Sequence, residues 1–263
     1  MGSATTQALA ATRAALNAAT GIDLGVAREL FAAAHVIAES SQLRAALADP
    51  AAAVDARTRV VSDVFGKALG ATSASLLTSA VEQRWSRADD LVGGIEDLAV
   101  RAAAIAAPGA DIEGELFSIS RTVAENPELE LALGSRLGDA DAKAGLFEKV
   151  FGGATSEATS VIVSSLVRQP RERRIRQLLS DAMRTVSDQR GKTVATVVSA
   201  TPLSAEQSTR LAAALASKYG RDVTLNPVLD PTVVGGLRVQ ITDDVIDGSI
   251  AGRLADLRQR LAG

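Results

Sequence analysis

Apolar residues recur at helical spacing through residues 7–191, and the period shifts to two from Lys192 onward. The pattern predicts a long helical part followed by a short strand-containing part. Gln7 to Ala19 carries Leu9 and Leu16 among alanines and reads as a first short helix ended by Gly21. Val26, Leu30, Ala33, Ala34 and Ile37 form the next stripe. Asp49-Pro50 opens a new segment, in which Val60, Val61, Val64, Phe65 and Leu69 line up and Gly70 closes the run. Leu76, Leu77, Ala80, Val81 and Trp85 make another stripe, and Leu91, Ile95, Leu98 and Ala102 the last before Pro108-Gly109.

The helical part is written twice. ARELFAAAHVIAESSQLRAAL (27–47) is echoed by EGELFSISRTVAENPELELAL (113–133). The ELF tripeptides begin at 29 and 115 and the VFG tripeptides at 64 and 150, an offset of 86 each time. SLLTSAVEQ (75–83) and VIVSSLVRQ (161–169) keep that offset, which becomes 87 near Leu91-Val92 and Leu178-Leu179. A constant register over such a span indicates two copies of one unit. Only the first copy has the extra helix at 7–19 before it.

Beyond Lys192, Val194, Thr196 and Val198 oppose Ala195, Val197 and Ser199, a strand ended by Thr201-Pro202. Ser204 with Gln207 forms a capping box for a helix carrying Leu211, Leu215 and Tyr219, with Gly220 at its end. Val223 and Leu225 begin a second strand, stopped by Asp230-Pro231. Pro227 inside it points to an edge or a bulge. Gly235-Gly236 permits a turn into a third strand, Leu237, Val239 and Ile241 alternating with Arg238, Gln240 and Thr242. Asp247-Gly248 is a turn signal, and Ser249 is placed to cap a helix striped by Ile250, Leu254, Leu257 and Leu261, with Arg258 and Arg260 at its negative end. The fold class is mostly α: two tandem helical bundles (1–107 and 108–191), then a small α+β domain (192–263).

Composition narrows the chemistry. The net charge of −3 sets up no field for nucleic acid or acidic lipid, and the absence of cysteine excludes disulfides and thiolate metal sites. The one histidine, His35, rules out a histidine cluster and reads as part of a helix face. No apolar run is long enough to span a bilayer; LAVRAAAIAA (98–107) is short and broken by Arg101. The first twenty-two residues lack Asp and Glu, but Arg13 is their only basic residue, so they read as a helix and not a transit peptide.

Gly191-Lys192-Thr193 imitates the tail of a phosphate loop, but Val186 stands where the first glycine belongs and the helix precedes the motif. Asp243, Asp244 and Asp247 miss the EF-hand spacing and read as turn formers. Gly235-Gly236 lacks the surrounding GxGxxG of a dinucleotide fold. No catalytic residue, cofactor-binding residue or metal ligand is expected. Arg168, Arg171, Arg173, Arg174, Arg176, Arg184, Arg190 and Lys192 make 168–192 basic. The acids there are Glu172, Asp181 and Asp188, whereas 82–101, whose counterparts lie near 168–188, carries Glu82, Asp89, Asp90, Glu96 and Asp97 against Arg84, Arg87 and Arg101. No aromatics interleave with these cations for base stacking, so the basic stretch reads as a solvated helix face, or next as a surface for an acidic protein partner.

Asp230-Pro231, VVGGLRV (233–239) and DDVIDGSI (243–250) together resemble the signature of the delta (oligomycin-sensitivity-conferring protein, OSCP) family of F-type ATP synthases. Its matching positions are Asp230, Pro231, Gly235, Gly236, Asp244, Asp247, Gly248 and Ser249. Pro227 departs from the family's commoner polar residue, and the duplicated bundle departs from its single one, although actinobacterial members carry it doubled. The resemblance implies a non-catalytic peripheral-stalk (stator) subunit at the cytoplasmic face of a bacterial membrane, with no cofactor and no small-molecule substrate. It implies that the bundle receives the N-terminal helix of an alpha subunit and that the α+β domain grips the C-terminal region of subunit b. The family contact uses the bundle's first and fifth helices, here 7–19 and about 72–86. Small residues let a helix approach closely, which makes Ala8, Ala11, Ala15, Leu76, Ala80 and Val81 the candidate contacts, although for any one of them a place in the bundle's own core is the simpler reading. Charge divergence between the copies assigns the alpha helix to 1–107, and to the basic face of 108–191 the docking of an acidic stalk or head surface. Without the resemblance, the residues leave open an unrelated helical-repeat adaptor or a small-molecule enzyme.

Overall fold

The computed structural model describes residues 2–135, 138–171, 173–233, 235–241, 244–248 and 250. The first copy comprises α1 (Ser3–Ala18), α2 (Leu24–Glu39), α3 (Ser41–Ala48), α4 (Val54–Phe65), α5 (Ala71–Glu82) and α6 (Ala88–Ala106). The second comprises α7 (Ile112–Glu125), α8 (Pro127–Gly134), α9 (Ala140–Phe151), α10 (Glu157–Arg168) and α11 (Ile175–Gln189). α8, α9 and α10 begin 86 residues after α3, α4 and α5 and match them at 8, 12 and 12 residues. α11 begins 87 residues after α6.

The repeated residues do repeated work. Glu29 of the first ELF accepts the Gly70 amide at 2.8 Å, and Glu115 of the second accepts the Ser156 amide at 2.9 Å. Gly70 and Ser156 are the N-caps of α5 and α10. Amides there have no intrahelical partner, and a carboxylate also meets the positive end of the helix dipole. At the other end of the same helices, buried Arg57 donates to the carbonyls of Gln83 (2.9 Å) and Glu82 (3.4 Å). Its counterpart Lys143, also buried, donates to the carbonyls of Arg168 (3.2 Å) and Ser135 (3.1 Å). A cation thus satisfies the orphan carbonyls that close α5 and α10.

The helices differ from their expected bounds at three places, one through a long-range contact and two through local hydrogen bonds. α1 starts at Ser3, earlier than its apolar residues predict, because Thr5 Oγ1 donates to Asp90 (2.6 Å) and anchors the first turn. The stretch after Ile37 is split into two helices at Ser40, whose hydroxyl accepts the Leu43 amide and caps α3. Trp85 lies beyond α5, with its indole N–H donated to the Ala80 carbonyl at 2.8 Å and its ring against Gly94.

Two compact units result, Met1–Val186 and Ser187–Gly263. One hydrophobic core runs from Ala8 to Val186 through both copies. The core does not divide at 107/108, because α6 packs against α2 of its own copy and α10 of the next. In the second unit, β1 (Lys192–Ser199), α12 (Ala205–Tyr219), β2 (Asp222–Leu229), β3 (Leu237–Ile241) and β4 (Asp244–Asp247) form a four-stranded sheet of order β2-β1-β3-β4 with α12 crossing between the parallel pair β1 and β2. β1–β3 and β3–β4 are antiparallel. Ala195, Val197, Val239, Ile241 and Leu215 of α12 make its core.

Ser204 and Gln207 form the expected capping box, and Gly220 ends α12 at φ +68°. Pro227 sits on edge strand β2 opposite Val197, and an edge strand is where a sheet tolerates proline. Asp244 and Asp247 belong to β4, paired with Ile241 and Arg238, and not to a turn. Their neighbours on β3 offer ladder partners that the local sequence does not reveal. Ser249 and the expected helix beyond Ile250 lie outside the described residues.

Candidate functional site

Of the six candidate contacts for a partner helix, Ala8 on α1 and Leu76, Ala80 and Val81 on α5 are buried at 2% exposure or less. They belong to the core and bring α1 against α5. Ala11 and Ala15 are half-buried on α1. α5 presents exposed Ser75 and half-buried Thr72 and Ser79. The arrangement is a face of small side chains on two packed helices.

The signature residues build the sheet unit. Asp230 accepts the Thr232 hydroxyl (2.6 Å) and amide (2.9 Å), which hold its carboxyl below the ordinary value. Its own amide donates to Ser199, tying the turn at Pro231 to the end of β1. Gly235 and Gly236 adopt φ +64° and +78°, in the left-handed region open to glycine. A Cβ on Gly235 would stand 2.6 Å from Ile250 Cδ1, and the Gly235 carbonyl accepts the Ile250 amide. Asp247 pairs with Arg238 at 3.7 Å, Asp244 accepts the Tyr219 hydroxyl at 3.3 Å, and the Gly248 amide donates to Leu237. None of this gathers a nucleophile and a base.

The arginines of 168–192 are drawn into the fold more than their sequence implies. Arg171 and Arg173 both reach Glu96, 4% exposed on α6, at 2.7 Å each. Burial lowers the Arg171 pKa, opposed by the Glu96 charge. Arg168 pairs with Asp141, Arg176 with Glu130 at 3.2 Å and Arg184 with Asp181, all nearer the surface. The basic stretch is therefore in large part internally neutralised. This cluster escapes sequence reading because Glu96 lies 75 residues from Arg171.

α6 meets the second copy as α1 meets the first. Thr5 of α1 exchanges hydrogen bonds with Ser86, after α5, and α1 packs on α5 and α6. Glu96 of α6 receives the arginines that follow α10, Asp97 accepts Thr185 of α11 at 3.1 Å, and α6 packs on α10. The second copy thus takes its missing first helix from the end of the first.

Gly191 ends α11 at φ +68° and β1 follows, so the phosphate-loop imitation is a helix C-terminus. His35 Nε2 lies 3.0 Å from the Ser165 carbonyl; because a carbonyl only accepts, the Nε2–H tautomer donates. A cavity of about 490 Å³ is lined by Ala45, Ala46, Ala48 and Ala88 together with Asp49, Pro50, Trp85, Ser86 and Arg87. Among the described residues no helix is long and apolar enough to cross a membrane.

A family model described as ATP synthase delta (OSCP) subunit matches residues 98–261. The chain belongs to this family. A relative named ATP synthase subunit delta in Leifsonia xyli subsp. xyli is 49% identical over the whole of both chains. Those of Streptomyces avermitilis and Thermobifida fusca are 40% and 38% identical, over 98% and 89% of each chain. A chain of the Toxoplasma gondii mitochondrial ATP synthase hexamer resembles it weakly (TM-score 0.40, 21% identity, 64% of this chain and 97% of that one). A delta-family chain is a peripheral-stalk subunit, a structural part of the ATP synthase complex. The family match begins inside α6, in keeping with α6 opening the second bundle.

Proposed function

We propose that the chain is a non-catalytic link between the alpha subunits of the catalytic head and the C-terminal region of subunit b. It works at the cytoplasmic face of the membrane while proton flow drives ATP synthesis. Work divides by segment: 1–107 holds the amphipathic N-terminal helix of an alpha subunit, 108–191 supports it, and 192–263 grips the stalk. The observation that carries this reading is the set of small residues left exposed or half-buried on two packed helices, Ala11 and Ala15 of α1 and Thr72 and Ser75 of α5, beside the buried Ala8 and Leu76. Small side chains let a helix backbone come close, and apolar burial then supplies the affinity. A rigid bundle suits a load-bearing contact because core packing leaves little slack.

The test is purification of the complex from detergent-solubilised membranes through a tag on this chain. The head and subunit b should be retained together. Recovery of the chain alone, with the complex intact elsewhere, contradicts the reading.

A further inference from the structure

The two copies expose the same helix differently. On α5, Thr72 is half-buried and Ser75 exposed. Their counterparts 86 residues on, Ala158 and Val161 of α10, are apolar and only 1% and 7% exposed. What covers α10 is α2, which packs on both α10 and α6. Arg28 at one end of the seam pairs with Glu157 at 2.6 Å, and His35, two turns on, donates to the Ser165 carbonyl. Arg28 and His35 are seven residues apart and so share one face of α2. Since α6 and α10 stand to the second copy as α1 and α5 stand to the first, α2 lies across the second copy's version of the α1–α5 face.

We infer that each chain offers one helix-binding face, on α1 and α5, and that the equivalent face on α6 and α10 is filled by the chain's own α2. The inference rests on the proposed alpha-subunit contact and adds its valency. The internal seam also shows the class of ligand that suits the open face: an amphipathic helix with an apolar stripe, flanked by side chains able to reach the ends of the host helix. The divergence from Thr72 and Ser75 to Ala158 and Val161 follows, because a permanently covered face loses its need for polar residues.

The test is calorimetric titration of the full chain with a synthetic peptide of the alpha-subunit N-terminus. The expected stoichiometry is one peptide per chain. Ser75→Arg, at an exposed position, should weaken binding about tenfold or more with an unchanged melting temperature, the scale of one blocked interface contact. Glu157→Arg, on the exposed end of α10, should leave the affinity unchanged. Two peptides per chain, or one whose affinity follows Glu157→Arg and ignores Ser75→Arg, overturns this inference while the alpha-subunit reading stands. Absence of any binding overturns that reading and this inference with it.

Discussion

The buried carboxylate of Glu96 on α6 takes the guanidinium of Arg173, from the segment after α10, at 2.7 Å, and so joins the end of one repeat to the middle of the next. Arg171 adds a second bond of the same length and donates also to the Asp89 carbonyl. The two arginines keep 23% and 28% of their side-chain surface exposed, whereas Glu96 keeps 5%. The desolvation cost therefore falls mainly on the carboxylate, and removing that carboxylate leaves two cations crowded together.

Glu96→Ala should cost about 2–4 kcal/mol, slightly below the usual figure for breaking a fully buried pair because the arginines regain some water. Thermal denaturation should show one lowered transition for the helical unit, as expected of one core shared by both copies. An unchanged melting temperature would show that the cluster contributes nothing to joining the repeats.

His35 should make the helical unit sensitive to acid. Burial lowers its pKa from 6.5, against the opposing pull of the Ser165 carbonyl and Glu96. The unfolded chain then binds the proton more readily than the folded one. The stability contribution is fully present above about pH 6.5 and is lost as pH falls through that value toward the lowered folded pKa. Melting temperatures at pH 7.5 and 5.5 should differ more in the wild type than in His35→Gln, which removes the titration. Equal losses in both would refute a role for this histidine.

Gly236→Val should destabilise the sheet unit by about 1–3 kcal/mol, because a β-branched residue resists φ +78°. The melting temperature and the affinity for subunit b should fall together. Loss of binding with an unchanged melting temperature would mean that the glycine meets the partner directly.

Much of this architecture is legible in the chain. Helical periodicity locates most of α2–α11, and the 86-residue offset pairs them. The period change at Lys192 falls at the first residue of β1. The Ser204 capping box and the edge placement of Pro227 are equally readable because each depends on local chemistry. What escapes depends on distant partners. β4 pairs with β3 and α6 serves two copies through contacts made far along the sequence, whereas the split at Ser40 is a local N-cap three residues from the amide it accepts and is open to reading. The paired cations Arg57 and Lys143 stand at the repeat offset, and reading the alignment for charge as well as for apolar residues would have singled them out. For the partner face, the sequence supplies residue types, but four of the six candidate contacts turn inward, and only the fold distinguishes floor from rim.

The central claim is that one chain holds the head through its helical unit and the stalk through its sheet unit. A tagged chain ending at residue 191 tests it most directly, with circular dichroism confirming that the helices remain. Pull-down against the separated head and against the soluble part of subunit b should retain the head and lose subunit b. Retention of subunit b as strongly as by the full chain would contradict the account.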